Sequence, residues 1–163
     1  MKTVFLFSAM MLTGLSAGLF YAWAVSVIPG TKRVKDITYL ETMQSINREI
    51  LNPWFFLIFF GSLIAIVISS IQQAGNGMVF WMILIAGITY FAGTFGVTVF
   101  GNVPLNNQLE NLSLKDLSIA DMSKWRAYYE AAWNRLHTIR TLFSVLSFYL
   151  TLHAAFLFFR AHV

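Results

Sequence analysis

The run WFFLIFFGSLIAIVISSI, residues 54–71, carries no charged side chain, and Ser62, Ser69 and Ser70 are its only polar groups. A helix rises about 1.5 Å per residue, so the stretch covers roughly the 30 Å hydrocarbon core of a bilayer. Its polarity does not alternate as a barrel strand's would, and in lipid a spanning segment of this kind satisfies its backbone groups as a helix. Asn52-Pro53 just ahead of it supplies an N-cap amide and a proline for the first turn, marking where that helix starts.

Working outward, residues 3–28, 78–101 and 141–159 repeat the pattern, each free of Asp, Glu, Lys and Arg and of spanning length. Residues 72–77 form a short uncharged turn, which makes the second and third spans antiparallel neighbours. With 58% hydrophobic and 11% charged residues the chain lacks the balance of a soluble globule. The expected fold is all-α: a polytopic membrane protein, one domain over residues 1–163, built as a four-transmembrane-helix bundle. A short amphipathic helix lies between helices 1 and 2, and the fourth helix is long.

Met1-Lys2, the apolar run behind it and Ala22-Trp23-Ala24 resemble a secretory signal with a cleavage site. Gly14, Gly18 and Ala22 instead recur at the small-residue spacing that lets membrane helices pack closely, so a retained first helix is expected, and the same face is a possible route to a homo-oligomer. Pro29-Gly30 should end it. Residues 36–51 then place Leu40, Met43, Gln44, Asn47, Ile50 and Leu51 on one side and Thr38, Thr42, Ser45 and Glu49 opposite, a helix at the interface or folded over the bundle's mouth. Asn47, in the middle of the apolar side, either bonds a neighbouring helix end or points into a pocket.

The third span carries Thr94, Thr98 and Asn102 at intervals of four. Such threonines often bond back to their own helix. Pro104 has no donor and disfavours helix at Val103, so the span should kink or end there, with Asn102, Asn106 and Asn107 beside the break. After the polar residues 108–117, Ser118 and Asp121 form a capping-box signal for a helix running to about Arg160. On it Arg126, Glu130, Trp133, Asn134, His137, Thr141 and Ser144 share a side, Arg140 lies at the stripe's edge, and His153 projects the other way.

Nine of the eleven basic residues, Lys32, Arg33, Lys35, Arg48, Lys115, Lys124, Arg126, Arg135 and Arg140, fall in loops 1 and 3 or the adjoining helix ends. The positive-inside rule then puts those loops in the cytoplasm and both termini outside. Topology alone explains the net charge of +4, so nucleic acid is not an expected partner. The chain has no cysteine, which removes disulfides, thiolate nucleophiles and thiolate-bound metals.

Ionisable groups in or near a membrane are usually paired or functional. One account is a closed network: Glu130 paired with Arg126, His137 on a loop carbonyl, the asparagines capping helices. A metal needs three or four ligands, and this side offers His137, Glu130 and amides, with His153 pointing away and His162 terminal. No cofactor is predicted, though a metal or a haem held through His137 stays open. The preferred account is a site for a hydrophobic small molecule arriving from the lipid bilayer. Trp133, Tyr90 and Phe95 would stack on it, His137 would take a proton, and Asn102, Asn106 and Arg140 would steady the anion, with Asn47, Thr98, Asn107, Glu130 and Asn134 as further binding residues.

GNVPLN at residues 101–106, with Trp133-Asn134 and Arg140-Thr141 downstream, resembles the pattern of the anthrone oxygenase-like family, small four-helix membrane proteins. Gly18, Pro29, the run Met43-Gln44-Ser45-Ile46-Asn47 and Asn52-Pro53 fit as well. The resemblance implies oxidation of anthrones to anthraquinones without a familiar cofactor and, since most relatives are bacterial, a bacterial inner membrane. Such chemistry asks for a base, anion-stabilising donors and a dry cavity. The alternative is a non-catalytic subunit, or a lipid- or quinone-binding protein whose polar cluster is structural.

Overall fold

The computed structural model describes residues 2–161; Met1, His162 and Val163, and with them the expectation for His162, lie outside the described residues. All elements among the described residues are helical. Four helices are long and apolar enough to cross a membrane: α1 (Thr3–Thr31), α3 (Pro53–Gln72), α4 (Gly77–Glu110) and α5 (Ile119–Arg160). The amphipathic α2 (Asp36–Glu49) joins the first two. This is an integral membrane protein of the expected bundle type.

Local signals set most boundaries. The Asn52 side chain accepts from the Phe55 backbone at 3.0 Å, with Pro53 as the first residue of α3. Ser118 caps α5 by accepting from the Asp121 amide at 3.1 Å, and its hydroxyl donates to the Asp121 carboxylate at 2.6 Å. The α3–α4 turn is tight enough to need positive φ at Gly75 (83°) and Gly77 (46°), where a side chain would be strained.

Two prolines meet different outcomes. α1 ends at Thr31, within a residue of the expected Pro29-Gly30 stop, whereas Pro104, expected to kink or end its span, does not end it: α4 continues to Glu110. In both cases a π turn comes first. Ile28 N–H bonds Trp23 C=O just before Pro29, and Val103 N–H bonds Thr98 C=O just before Pro104. The wider turn absorbs the missing donor and the ring that a tight α-helix would expel.

α5 is the spine, contacting α1, α4 and α2. Around its C-terminal half lies one apolar core, including Leu6, Ala9, Ile66, Ile83 and Ala154. A second core lies at the mouth, where α2 folds over the bundle: Tyr39, Leu40 and Met43 meet Leu105, Leu109, Leu114, Tyr129 and Trp133. Thr38, Ser45 and Glu49 face outward, as the amphipathic pattern requires. Leu51 departs from that pattern, since α2 stops at Glu49 and leaves it 64% exposed. Gly14 faces inward too, with Phe148 of α5 only 3.0 Å from where a Cβ would sit, so it serves packing within the chain; Gly18 is open.

Candidate functional site

A cavity of about 80 Å³ opens where the two cores meet, with Phe20, Trp23, Asn47, Ile50, Thr98, Asn106, Trp133, His137 and Arg140 in its wall. Both π turns reach it, one through Trp23 and the other through Thr98. On α5 the wall residues Trp133, His137 and Arg140 follow at steps of four and three, the true helical alternation.

His137 is fully buried and its tautomer follows from its partners. Arg140 can only donate, and its Nε and Nη2 lie 3.2 and 3.0 Å from Nδ1, so Nδ1 carries the lone pair. Nε2 therefore bears the hydrogen and donates it to the Phe20 carbonyl at 3.1 Å, with the Thr141 hydroxyl at 3.3 Å as a secondary acceptor. Thr141 itself donates to the His137 carbonyl at 2.7 Å. The imidazole also stacks on Trp133, centroids 5.0 Å apart and 6° from parallel. In this arrangement neither ring nitrogen offers a free lone pair to a proton, a metal or a haem iron. Among the described residues no three His, Asp or Glu side chains gather as a metal site.

Arg140 is the unusual group. It is 8% exposed, sits between the faces of Phe20 (4.7 Å) and Trp133 (4.9 Å), and reaches Thr98 Oγ1 from Nη1 at 3.4 Å. Two N–H groups go to His137 and one to Thr98, so two of its five remain. No carboxylate pairs with it among the described residues. Buried charges are ordinarily paired, because desolvation is costly.

Other expected residues divide clearly. Asn106 lines the cavity, its Oδ1 accepting from Tyr129 (3.0 Å) and from Trp133 Nε1 (2.9 Å). Of the two expectations for Asn47, the pocket holds, since it lines the cavity; its amide bonds the Tyr129 hydroxyl at 3.1 Å, a side chain inside α5 rather than a helix end. Thr98 bonds back to Thr94 at 2.7 Å while facing the cavity. Asn102 is buried beside the site, its amide 3.4 Å from the Trp133 carbonyl and its Oδ1 without a partner.

Glu130, Asn107 and Asn134 do not line the cavity. Glu130 instead accepts from Arg126 Nε at 3.0 Å, as the closed-network account has it, and Asn107 is exposed. Tyr90 and Phe95 are not cavity walls either. Tyr90 is wholly buried in the bundle, bonding Ser16 (3.0 Å) and the Phe59 carbonyl (3.2 Å), and Phe95 stacks on Phe59 and Phe91. His153 packs between Tyr149 and Phe156, away from the site.

Sequence reasoning missed Phe20, Trp23 and Tyr129. Stepping along α5 from Arg126 by a mixture of threes and fours that averages about the 3.6-residue turn reaches Tyr129, Trp133, His137, Arg140, Ser144 and Ser147, and all six of those are buried. That spacing was available in the sequence; the α1 residues carried no comparable signal.

Arg126 ties loop 1 to α5, donating to Asp36 (2.9 Å), Glu130 (3.0 Å) and the carbonyls of Thr31, Lys32 and Val34. Its guanidinium lies 4.8 Å over the Tyr39 ring. Burial pushes the Tyr39 phenol above its ordinary range, Glu130 and Tyr129 add to this, and Arg126 opposes it.

The sequence model of a protein family described as anthrone oxygenase matches residues 54–150. The chain belongs to the anthrone oxygenase family. No curated protein and no solved structure matches it. The anthrone oxygenase match takes in Thr98, Asn106, Trp133, His137 and Arg140, whereas Phe20, Trp23 and Asn47 of the same cavity precede it.

Proposed function

We propose that this anthrone oxygenase family member is a membrane monooxygenase that oxidises a bilayer-soluble aromatic ligand through its enolate or phenolate, without a protein-bound cofactor. The observation that carries this is Arg140, a buried cation with no acidic partner among the described residues, facing a cavity whose other wall residues are uncharged, with N–H groups unengaged. An anionic ligand oxygen supplies the missing charge partner.

His137 enters through the same contact. Its Nδ1 lone pair is held by Arg140. A ligand oxygen that draws the guanidinium toward itself frees that lone pair, and the imidazole then takes a ring methylene proton. The resulting carbanion passes its electrons to dioxygen and forms a C–O bond, giving a hydroperoxide once protonated. Loss of water from it breaks the O–O bond, removes the second C–H proton and leaves a ketone, so one methylene and one dioxygen become one carbonyl and one water.

At about 80 Å³ the cavity is well below the ~300 Å³ of an ordinary ligand pocket. It therefore takes the oxygen-bearing edge of a ligand, and the rest must displace Ile50 and Leu51 at the mouth. The same small volume favours the second reading, a non-catalytic protein that binds a quinone or lipid headgroup.

Oxygen uptake by purified protein with an anthrone separates them. The wild type should consume oxygen, and Arg140→Met and His137→Ala should each reduce the rate at least about tenfold while retaining helical content. Uptake equal to the protein-free rate, with a quinone still bound, supports the non-catalytic reading instead.

A further inference from the structure

We propose that Asn106 is the second hydrogen-bond donor to the ligand oxygen that Arg140 engages, and that Tyr129, together with Trp133, positions it. This rests on Arg140 being an anion site and adds to it the kind of oxygen the site accepts.

The orientation of the Asn106 amide is fixed by chemistry. Trp133 Nε1 can only donate, so the Asn106 atom 2.9 Å away is the oxygen. Tyr129 closes the arrangement: its hydroxyl oxygen accepts from Asn47 Nδ2 at 3.1 Å, and its hydrogen goes to the same Asn106 Oδ1 at 3.0 Å. Oδ1 thus has both lone pairs occupied. Nδ2 must point the opposite way with two hydrogens, and neither has a partner among the described residues.

The hydroxyl and imidazole donors nearby are engaged elsewhere, and Asn47 spends one of its two amide hydrogens on Tyr129. The Thr98 hydroxyl donates to the Thr94 carbonyl (2.7 Å), the Thr141 hydroxyl to the His137 carbonyl (2.7 Å), and His137 Nε2–H to the Phe20 carbonyl (3.1 Å). Asn106 and Arg140, in the wall of one cavity, keep N–H groups unengaged. A guanidinium and an amide NH₂ together present hydrogens only. They select a ligand oxygen that accepts and does not donate: a phenolate, an enolate or a ring carbonyl ahead of a neutral hydroxyl.

The test uses the full chain in detergent with para-nitrophenol, whose phenolate is coloured, and para-nitroanisole, which cannot ionise. Bound wild-type protein should shift the nitrophenol toward its phenolate, visible as a rise in phenolate absorbance at fixed pH. Tyr129→Phe keeps the ring and removes the hydroxyl that orients Asn106; Asn106→Leu removes the donor. Each should weaken nitrophenolate binding about five- to tenfold and leave nitroanisole affinity within about twofold. Wild-type nitrophenolate affinity in both variants, with Arg140→Gln still abolishing it, overturns the role of Asn106 and Tyr129 alone. Nitrophenolate bound as tightly by Arg140→Gln as by wild type, or not bound by wild type at all, overturns the anion site beneath it.

Discussion

Arg140 and His137, three residues apart on α5, share a single lone pair: two guanidinium nitrogens converge on Nδ1 at 3.2 and 3.0 Å. With the aromatic faces of Phe20 and Trp133 on either side, this contact holds a membrane-buried cation against the cavity. His137 is thus a holder of Arg140 before it is anything else. In the proposed reaction the ligand oxygen draws the guanidinium off this lone pair, so replacing His137 with alanine should leave phenolate affinity at or above that of wild type while oxygen uptake falls. Titration with para-nitrophenol at fixed pH measures this, and a loss of affinity of about tenfold or more means that the guanidinium keeps its bond to Nδ1 in the complex.

Arg126 has a different task, since every nitrogen of its guanidinium is engaged and none faces the cavity. Arg126→Ala strands Asp36, Glu130 and three carbonyls together. Thermal unfolding in detergent should show a loss of about 2–3 kcal/mol, while phenolate binding by the remaining folded protein stays near wild type. A variant that unfolds normally but no longer binds would place Arg126 in the site instead.

Gly93 allows α4 to meet α5 closely. A Cβ there would fall 2.0 Å from Phe143 Cγ and 2.4 Å from its Cβ, too near the backbone for a rotamer change to relieve. Gly93→Ala should lose about 1–3 kcal/mol or more, and Phe143→Ala in the same chain should recover part of it. Gly18→Ala, which meets nothing within 4 Å, should unfold like wild type. Equal stability of all three variants would show that the α4–α5 approach adapts freely.

The spans were legible because a hydrophobic run needs no partner to be recognised, and the caps at Asn52 and Ser118 because they are local. The Arg126–Glu130 pair lies one turn apart and was equally readable. What failed involved the third dimension. Pro104 looks like a helix end until a π turn is known to precede it. The stripe drawn through Arg126, Glu130, Trp133, Asn134, His137, Thr141 and Ser144 was centred to one side of the buried face, which admitted Glu130 and Asn134, pushed Arg140 to an edge and passed over Tyr129. Tyr90 and Phe95 failed for another reason: aromatic character does not reveal whether a ring faces a cavity or a neighbouring helix.

The charges of loops 1 and 3 predict an orientation in the bilayer with those loops inside, and the absence of native cysteine makes it directly measurable. Lys35→Cys and Lys115→Cys should react with an impermeant maleimide only after right-side-out vesicles are opened. Asn76→Cys, in the α3–α4 turn, should react in sealed vesicles. The reverse pattern would invert the protein and put the cavity at the outer surface.

Entry to the cavity depends on α2, because its end supplies the wall residues Ile46, Asn47 and Ile50 and the space behind them is only about 80 Å³. That end is tied down by Gln44 donating to the carbonyls of Leu109 (2.8 Å) and Leu112 (3.1 Å), and by the exposed pair Arg48–Glu110 at 2.9 Å. An exposed pair of this kind is worth under about 1 kcal/mol, weak enough to open and re-form as a ligand passes. Arg48→Cys with Glu110→Cys, joined by a short bis-maleimide, makes the tie permanent. Stopped-flow association of para-nitrophenol should slow at least about tenfold on crosslinking, if movement of α2 limits entry, and the uncrosslinked double variant should associate at least as fast as wild type. Unaltered association in the crosslinked protein would route the ligand past Val103 and Phe55 on the other side of the mouth.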